Sequence, residues 1–175
     1  MTYLIIAAVV LLAVTPIFWL KPTPRQRQLE ALRYAAQRAG VQVRLAARPG
    51  VRVDPPRLDV ALYFLPWTRT VDQRDLEASR WTLVSQSFEG QWSPWEGWRW
   101  LTPGPKSLRG AIAEVLPLMP ESACALEASS LGVGFYWDER PADPEAILPV
   151  MLPALETLRA AVEALPAQKK EAKHE

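Results

Sequence analysis

Leu58 to Leu65 reads LDVALYFL. Val60, Leu62 and Phe64 alternate with Ala61, Tyr63 and Leu65, so the stretch is apolar on both faces and predicts a central strand. Upstream, Val41 to Ala47 (VQVRLAA) sets Val41, Val43 and Leu45 against Gln42 and Arg44, the period of a half-buried strand, and ARPGVRVDPP links the two as a loop. Downstream, Trp81 to Phe88 (WTLVSQSF) and Trp98 to Leu101 predict two more strands, joined by a loop holding Gly90, Pro94 and Gly97. VDQRDLEASR, before the third strand, reads either as a helical turn or as an exposed loop. Ala123 to Ser129 and Leu131 to Trp137 predict a final pair of strands around a Ser-Ser turn, with Gly132 and Gly134 placed where another backbone comes close.

Helices are marked by their caps. Thr23-Pro24-Arg25-Gln26 offers an N-cap, a proline at N1 and a capping-box glutamine, and Gly40 ends the helix; Leu29, Leu32, Ala36 and Ala39 share one face. Pro105 to Met119 predicts a second helix, with Leu108, Ile112, Val115 and Leu116 on its stripe and Pro117 and Pro120 closing it. Asp143-Pro144-Glu145 opens a third, running toward Leu165, which Pro149 and Pro153 are expected to bend or divide. Four strands, a helix, two strands and a helix predict an α+β domain over 41–166: one mostly antiparallel sheet with helices packed on one face. Residues 167–175 read as a disordered tail.

The formal net charge of +1 hides a split. Met1 to Arg52 holds eight Lys or Arg against Glu30, +7, and the rest holds twelve basic against eighteen acidic side chains, −6. Thr2 to Leu20 (TYLIIAAVVLLAVTPIFWL) carries no charged side chain and is about long enough to span a hydrocarbon core near 30 Å thick. It is expected to be a retained transmembrane anchor over 2–20, since neither a basic n-region nor a small-residue cleavage site supports a cleaved signal peptide. Tyr3 and Trp19 stand near its ends, where aromatic rings prefer the headgroup level. Lys21, Arg25, Arg27, Arg33 and Arg38 follow it, so the positive-inside rule predicts a single-pass inner-membrane protein, amino terminus outside and domain in the cytoplasm. Residues 21–40 then form a basic juxtamembrane helix whose cations either face water or contact anionic lipid, and Tyr3, Trp19, Lys21, Arg25, Arg27 and Arg33 are the expected membrane contacts.

Catalytic chemistry finds little support. The one histidine, His174, lies in the tail, and the one cysteine, Cys124, sits among small and apolar residues as a packing thiol. Asp138 and Glu139 are adjacent, so strand geometry would point them apart rather than into one acid-base pair. No phosphate-binding loop or nucleophile elbow occurs, and Lys169 and Lys170 alternate with acids, so no cofactor, no metal and no nucleic-acid partner is expected.

The unusual feature is FEGQWSPWEGWRWLTPG, Phe88 to Gly104. Trp98 and Trp100 would share one strand face with Arg99 on the other, while Trp92 and Trp95 belong to the preceding loop. The rings either close one end of the core or form an exposed platform for a partner, and Trp67 and Trp137, at strand ends, would extend such a platform. Stacking on sugars is a third use, suited to a domain outside the cell.

Residues Thr2 to Leu45, an uncharged span followed by LKPTPRQRQLEALRYAAQRAGVQVRL, resemble the start of YajC, the single-span accessory subunit of the bacterial Sec translocase. That family also follows its span with a proline-containing, basic, Gln-rich helix and a strand, and the resemblance implies association with a membrane complex. The chain departs from the family after the first strand, where the Gly-rich turn is missing. The reading is a non-enzymatic, membrane-anchored interaction domain that binds a protein partner through Trp92, Trp95, Trp98 and Trp67; the alternative is a periplasm-facing ligand-binding domain using exposed tryptophans.

Overall fold

The computed structural model describes Tyr3 and residues 23–52, 54–68, 80–85 and 89–165. Helix α1, Pro24–Arg38, starts where the sequence marks it: the Thr23 hydroxyl accepts from the Gln26 N–H at 3.2 Å, and the Gln26 side chain accepts from the Thr23 N–H at 2.7 Å. The strands are β1, Gln42–Ala46; β2, Val60–Pro66; β3, Trp81–Ser85; β4, Gln91–Trp92; β5, Trp98–Thr102; β6, Ala123–Ser129; and β7, Gly132–Trp137. They form one antiparallel sheet in the order β1-β2-β7-β6-β3-β5-β4. Helix α2, Arg109–Val115, is flanked by single 3₁₀ turns and lies between β5 and β6; helix α3, Pro144–Glu163, follows β7.

Alternation divides the sheet into two faces. Tyr63 pairs across the sheet with Phe135, and Phe135 with Leu126, placing these rings beside Trp137, Trp81, Leu83 and Trp100 on the inner face. Helices α1, α2 and α3 pack there, through Leu32 and Ala36 of α1, Ile112 and Val115 of α2, and Met151, Leu155 and Leu158 of α3. The opposite face holds Val60, Leu62, Phe64, Val84 and Ala125, all buried. Strand β2 is therefore buried on both sides, as its composition predicts. Helix α3 runs unbroken through Pro149 and Pro153 rather than dividing. Each proline forfeits a backbone hydrogen bond, and burial of Met151, Ala154, Leu155, Leu158 and Val162, at roughly 1.5–3 kcal/mol for each large side chain, outweighs that loss. Glu163 anchors the helix end, accepting from the Thr68 N–H at 2.7 Å and hydroxyl at 2.6 Å, and Arg159 donates to the Pro66 carbonyl at 3.1 Å.

The membrane expectation is corrected. Among the described residues no helix is long and apolar enough to cross a membrane. The longest, α3, has 20 residues but carries Glu145, Glu156, Arg159 and Glu163, so it is amphipathic; α1 carries Arg25, Arg27, Glu30, Arg33 and Arg38. The expected span over 2–20 lies, Tyr3 apart, outside the described residues. A single-pass, signal-anchored inner-membrane protein with a cytoplasmic domain is not supported; of the expected membrane contacts, Trp19 and Lys21 lie outside the described residues, Tyr3, Arg25 and Arg27 are exposed, and Arg33 pairs with Glu139. The α+β sheet with helices on one face stands. The segment VDQRDLEASR falls outside the described residues except for Arg80, as do 86–88 and the tail from 166.

Gly134 shows how closely the strands are drawn together: a Cβ there would lie 2.6 Å from both the Phe64 Cβ and the Tyr63 carbonyl oxygen. Gly110, in α2, has nothing within 4 Å of an added Cβ. Urea unfolding is expected to show Gly134→Ala destabilised by about 1–3 kcal/mol and Gly110→Ala stabilised by about 0.5–1 kcal/mol.

Candidate functional site

The tryptophan-rich segment folds as the β4–β5 hairpin at one edge of the sheet. Its loop is tied internally: the buried Ser93 hydroxyl donates to the Trp98 carbonyl at 2.6 Å and accepts from the Trp95 N–H at 3.3 Å, and the Trp98 N–H donates to the Trp95 carbonyl at 3.2 Å. Gly97, at φ +76°, supplies the left-handed residue that this closure requires. The hairpin then sorts its indoles. Trp100 is buried, Trp98 and Trp95 are half-buried against the inner core, and Arg99 is exposed. Trp95, Trp100 and Trp81 stack edge to face in a chain, with centroids 5.7 and 5.9 Å apart, each such pair worth about 0.5–1.5 kcal/mol beyond its buried area.

Trp92 is the exception. It pairs with Arg99, so it shares the outer face with that residue and is 77 % exposed. Leu101, two residues along the same face, is 38 % exposed. Of the four expected contact residues the structure leaves Trp92 outward, turns Trp95 and Trp98 inward, and removes Trp67 to the other end of the strands. Trp67 Nε1 donates to the Ser129 carbonyl at the end of β6, whereas Ser85, the partner of Trp98, bonds the Ala123 carbonyl at its beginning. Trp137 is wholly buried, edge to face with Tyr63 at 5.5 Å.

A second assembly lies where β7 leaves the sheet. Glu139 is 6 % exposed and has φ +57°. Its carboxylate accepts from Arg33 Nε at 2.7 Å, from the second Arg33 nitrogen at 2.5 Å, and from the Tyr63 hydroxyl at 2.8 Å. The bond to Glu139 raises the Arg33 pKa against the opposing effect of burial, and burial, reinforced by Glu139, pushes the Tyr63 hydroxyl up. Asp138 turns instead to Arg140, 3.5 Å away, so the two adjacent acids do not cooperate. Sequence reasoning placed Arg33 on a basic face and missed this cluster. One signal was available: Arg33 follows Leu29 by four residues and precedes Ala36 by three, so it borders the apolar stripe of α1.

Beside this cluster an apolar cleft of about 550 Å³ opens between the end of α2 and the start of α3. Leu118, Met119, Ile147, Val150 and Met151 line it, with Arg140 on its rim. Leu118 and Val150 are 45 % and 44 % exposed there. Elsewhere, burial raises the Cys124 thiol pKa, and among the described residues no group of three His, Cys, Asp or Glu is placed to hold a metal ion. Comparison with protein-family models, with curated proteins and with solved structures gives no match, so the likeness of residues 2–45 to YajC rests on its motif alone.

Two outcomes follow from the buried Glu139 and the half-buried Glu127. Arg33→Ala leaves Glu139 charged in the interior and is expected to cost about 3 kcal/mol, whereas Glu139→Gln costs less, because the Arg33 side chain is 34 % exposed and reaches water; urea unfolding at neutral pH compares them. Glu127, on β6, has its pKa raised by burial, with hydrogen bonding from Tyr136 and Ser129 and the charge of Arg80 acting in the opposite direction. Its folded form thus favours the proton, so this contribution to stability is present below the ordinary value of 4.5 and lost as pH rises through the folded value. Glu127→Gln is expected to melt higher than wild type at neutral pH, with the two curves converging below that value.

Proposed function

We propose that the chain is a non-catalytic domain that binds a partner protein through the β4–β5 end of its sheet. The observation that carries this reading is Trp92, 77 % exposed on a hairpin whose other rings are buried in the core, Trp100, or half-buried against it, Trp95 and Trp98. A large side chain held out by a rigid support loses little conformational freedom on binding. Tryptophan and arginine are also the residue types most enriched among the side chains that dominate interface energies. Arg99 and Leu101 complete a small patch of mixed character around the ring. A second reading, binding of an apolar group, is favoured by the 550 Å³ cleft, whose size and lining suit a small ligand or one hydrophobic side chain.

Affinity capture with the full chain as bait, read by quantitative mass spectrometry, separates these readings. Trp92→Ala should leave the melting temperature within a degree or two and weaken the captured partner by about 2 kcal/mol, roughly 30-fold. Loss of capture on Val150→Glu with full retention on Trp92→Ala would move the contact to the cleft, and identical capture by wild type and both variants would remove both surfaces.

A further inference from the structure

An open sheet ends in two edges, and here they differ. Strand β4 offers two residues at one edge; β1 offers five, Gln42–Ala46, at the other, and among the described residues nothing pairs with its free side. Unpaired N–H and C=O groups along an edge of that length are a template for another strand. Gln42, Arg44 and Leu45 are exposed along it, Leu45 at 55 %.

The chain on either side of this strand is basic. Residues 23–59 contain eight arginines and only three acids, Glu30, Asp54 and Asp59. Arg33 is held by Glu139; of the seven others, which include Arg38, Arg44, Arg48 and Arg52, none forms an ion pair among the described residues. Arg44 leaves the centre of β1 on the outer face of the sheet, where its guanidinium carbon lies 5.4 Å from the Phe64 ring centroid of the neighbouring strand β2, one strand in from the free edge.

We propose that the free edge of β1 docks an extended acidic segment of a partner protein. The segment adds to the sheet as an eighth strand through main-chain hydrogen bonds, and Arg44 with its neighbouring arginines selects it by charge. The same charges disfavour a second copy of this chain, because antiparallel pairing of β1 with itself about its centre sets Arg44 opposite Arg44. A nucleic-acid strand would satisfy the arginines and leave the edge amides unpaired; an acidic peptide satisfies both. This surface lies at the opposite edge from Trp92 and stands independently of the reading given above.

The test is fluorescence anisotropy of the full chain with four labelled probes: a peptide alternating Glu and Val, its Lys/Val counterpart, the Glu/Val peptide N-methylated at alternate residues, and an oligothymidylate. The Glu/Val peptide should bind, and the Lys/Val and N-methylated peptides should each bind at least about tenfold more weakly, since one lacks the charge and the other the strand hydrogen bonds. Arg44→Glu should weaken the Glu/Val peptide by about tenfold or more and Trp92→Ala should leave it unchanged. In wild type, amide exchange across Gln42–Ala46 should slow when the peptide is present. Absence of binding, equal binding of the N-methylated peptide, unchanged exchange in β1, or preferential binding of the oligothymidylate would each overturn the proposal.

Discussion

Helices α1, α2 and α3 lie on one face of a seven-stranded antiparallel sheet, and the placement of the large side chains described for that sheet follows from this constraint. The inner face must supply a continuous apolar surface to α1, α2 and α3, and it does so with Tyr63, Phe135, Trp137, Trp81 and Trp100. Strand alternation then sends their neighbours to the other side, where the centre of the sheet buries Val60, Leu62, Phe64, Val84 and Ala125. At the β4–β5 end alternation works on a tryptophan-rich hairpin. Rings in phase with Trp100 help close the core, and the one in phase with Arg99 is left in solvent. Exposure of Trp92 is thus a consequence of sheet geometry, and rigidity of its support is a consequence of the core beneath it.

The Arg33–Glu139–Tyr63 cluster ties this architecture together at one point. It joins the first helix, the second strand and the segment leaving the last strand, residues 106 and 76 positions apart in sequence. A buried carboxylate is tolerated because three donor groups satisfy it, two of them the charged fork of Arg33, and its removal from water is repaid only while all of them remain. The cluster also pairs Arg33, while the other described arginines of residues 23–59 form no ion pair among the described residues. The arginine-flanked edge strand β1 and the aromatic β4–β5 hairpin therefore stand at opposite edges of the same sheet.

Much of this was legible in local patterns. Thr23 and Asp143 cap helices where their side chains predict, and the stretches read as strands from Val41, Leu58, Trp81, Trp98, Ala123 and Leu131 all contain strands. What escaped was set by distance or by number. Strand β4 has two residues, too few to show a period, so Trp92 read as loop. The pairing of β2 with β7 and of β3 with β6 joins segments far apart in the chain, and no local signal records it. Proline counted against an intact α3, yet the buried stripe from Met151 to Val162 overrode that local preference. Within the candidate site the sequence correctly set Trp98 and Trp100 against Arg99. It could not say that Trp95 folds back onto Trp100, since Ser93 and Gly97 close the loop only in three dimensions.

Hydroxyl-radical footprinting of the free protein, with oxidation of each tryptophan followed by mass spectrometry, tests most directly whether one indole has been left outside for a partner. Trp92 is expected to oxidise fastest, Trp95 and Trp98 more slowly, and Trp81, Trp100 and Trp137 to stay protected until the protein unfolds. Equal protection of Trp92 and Trp81, or oxidation of Trp95 and Trp98 as fast as Trp92, would contradict the division of the hairpin into an inward and an outward face.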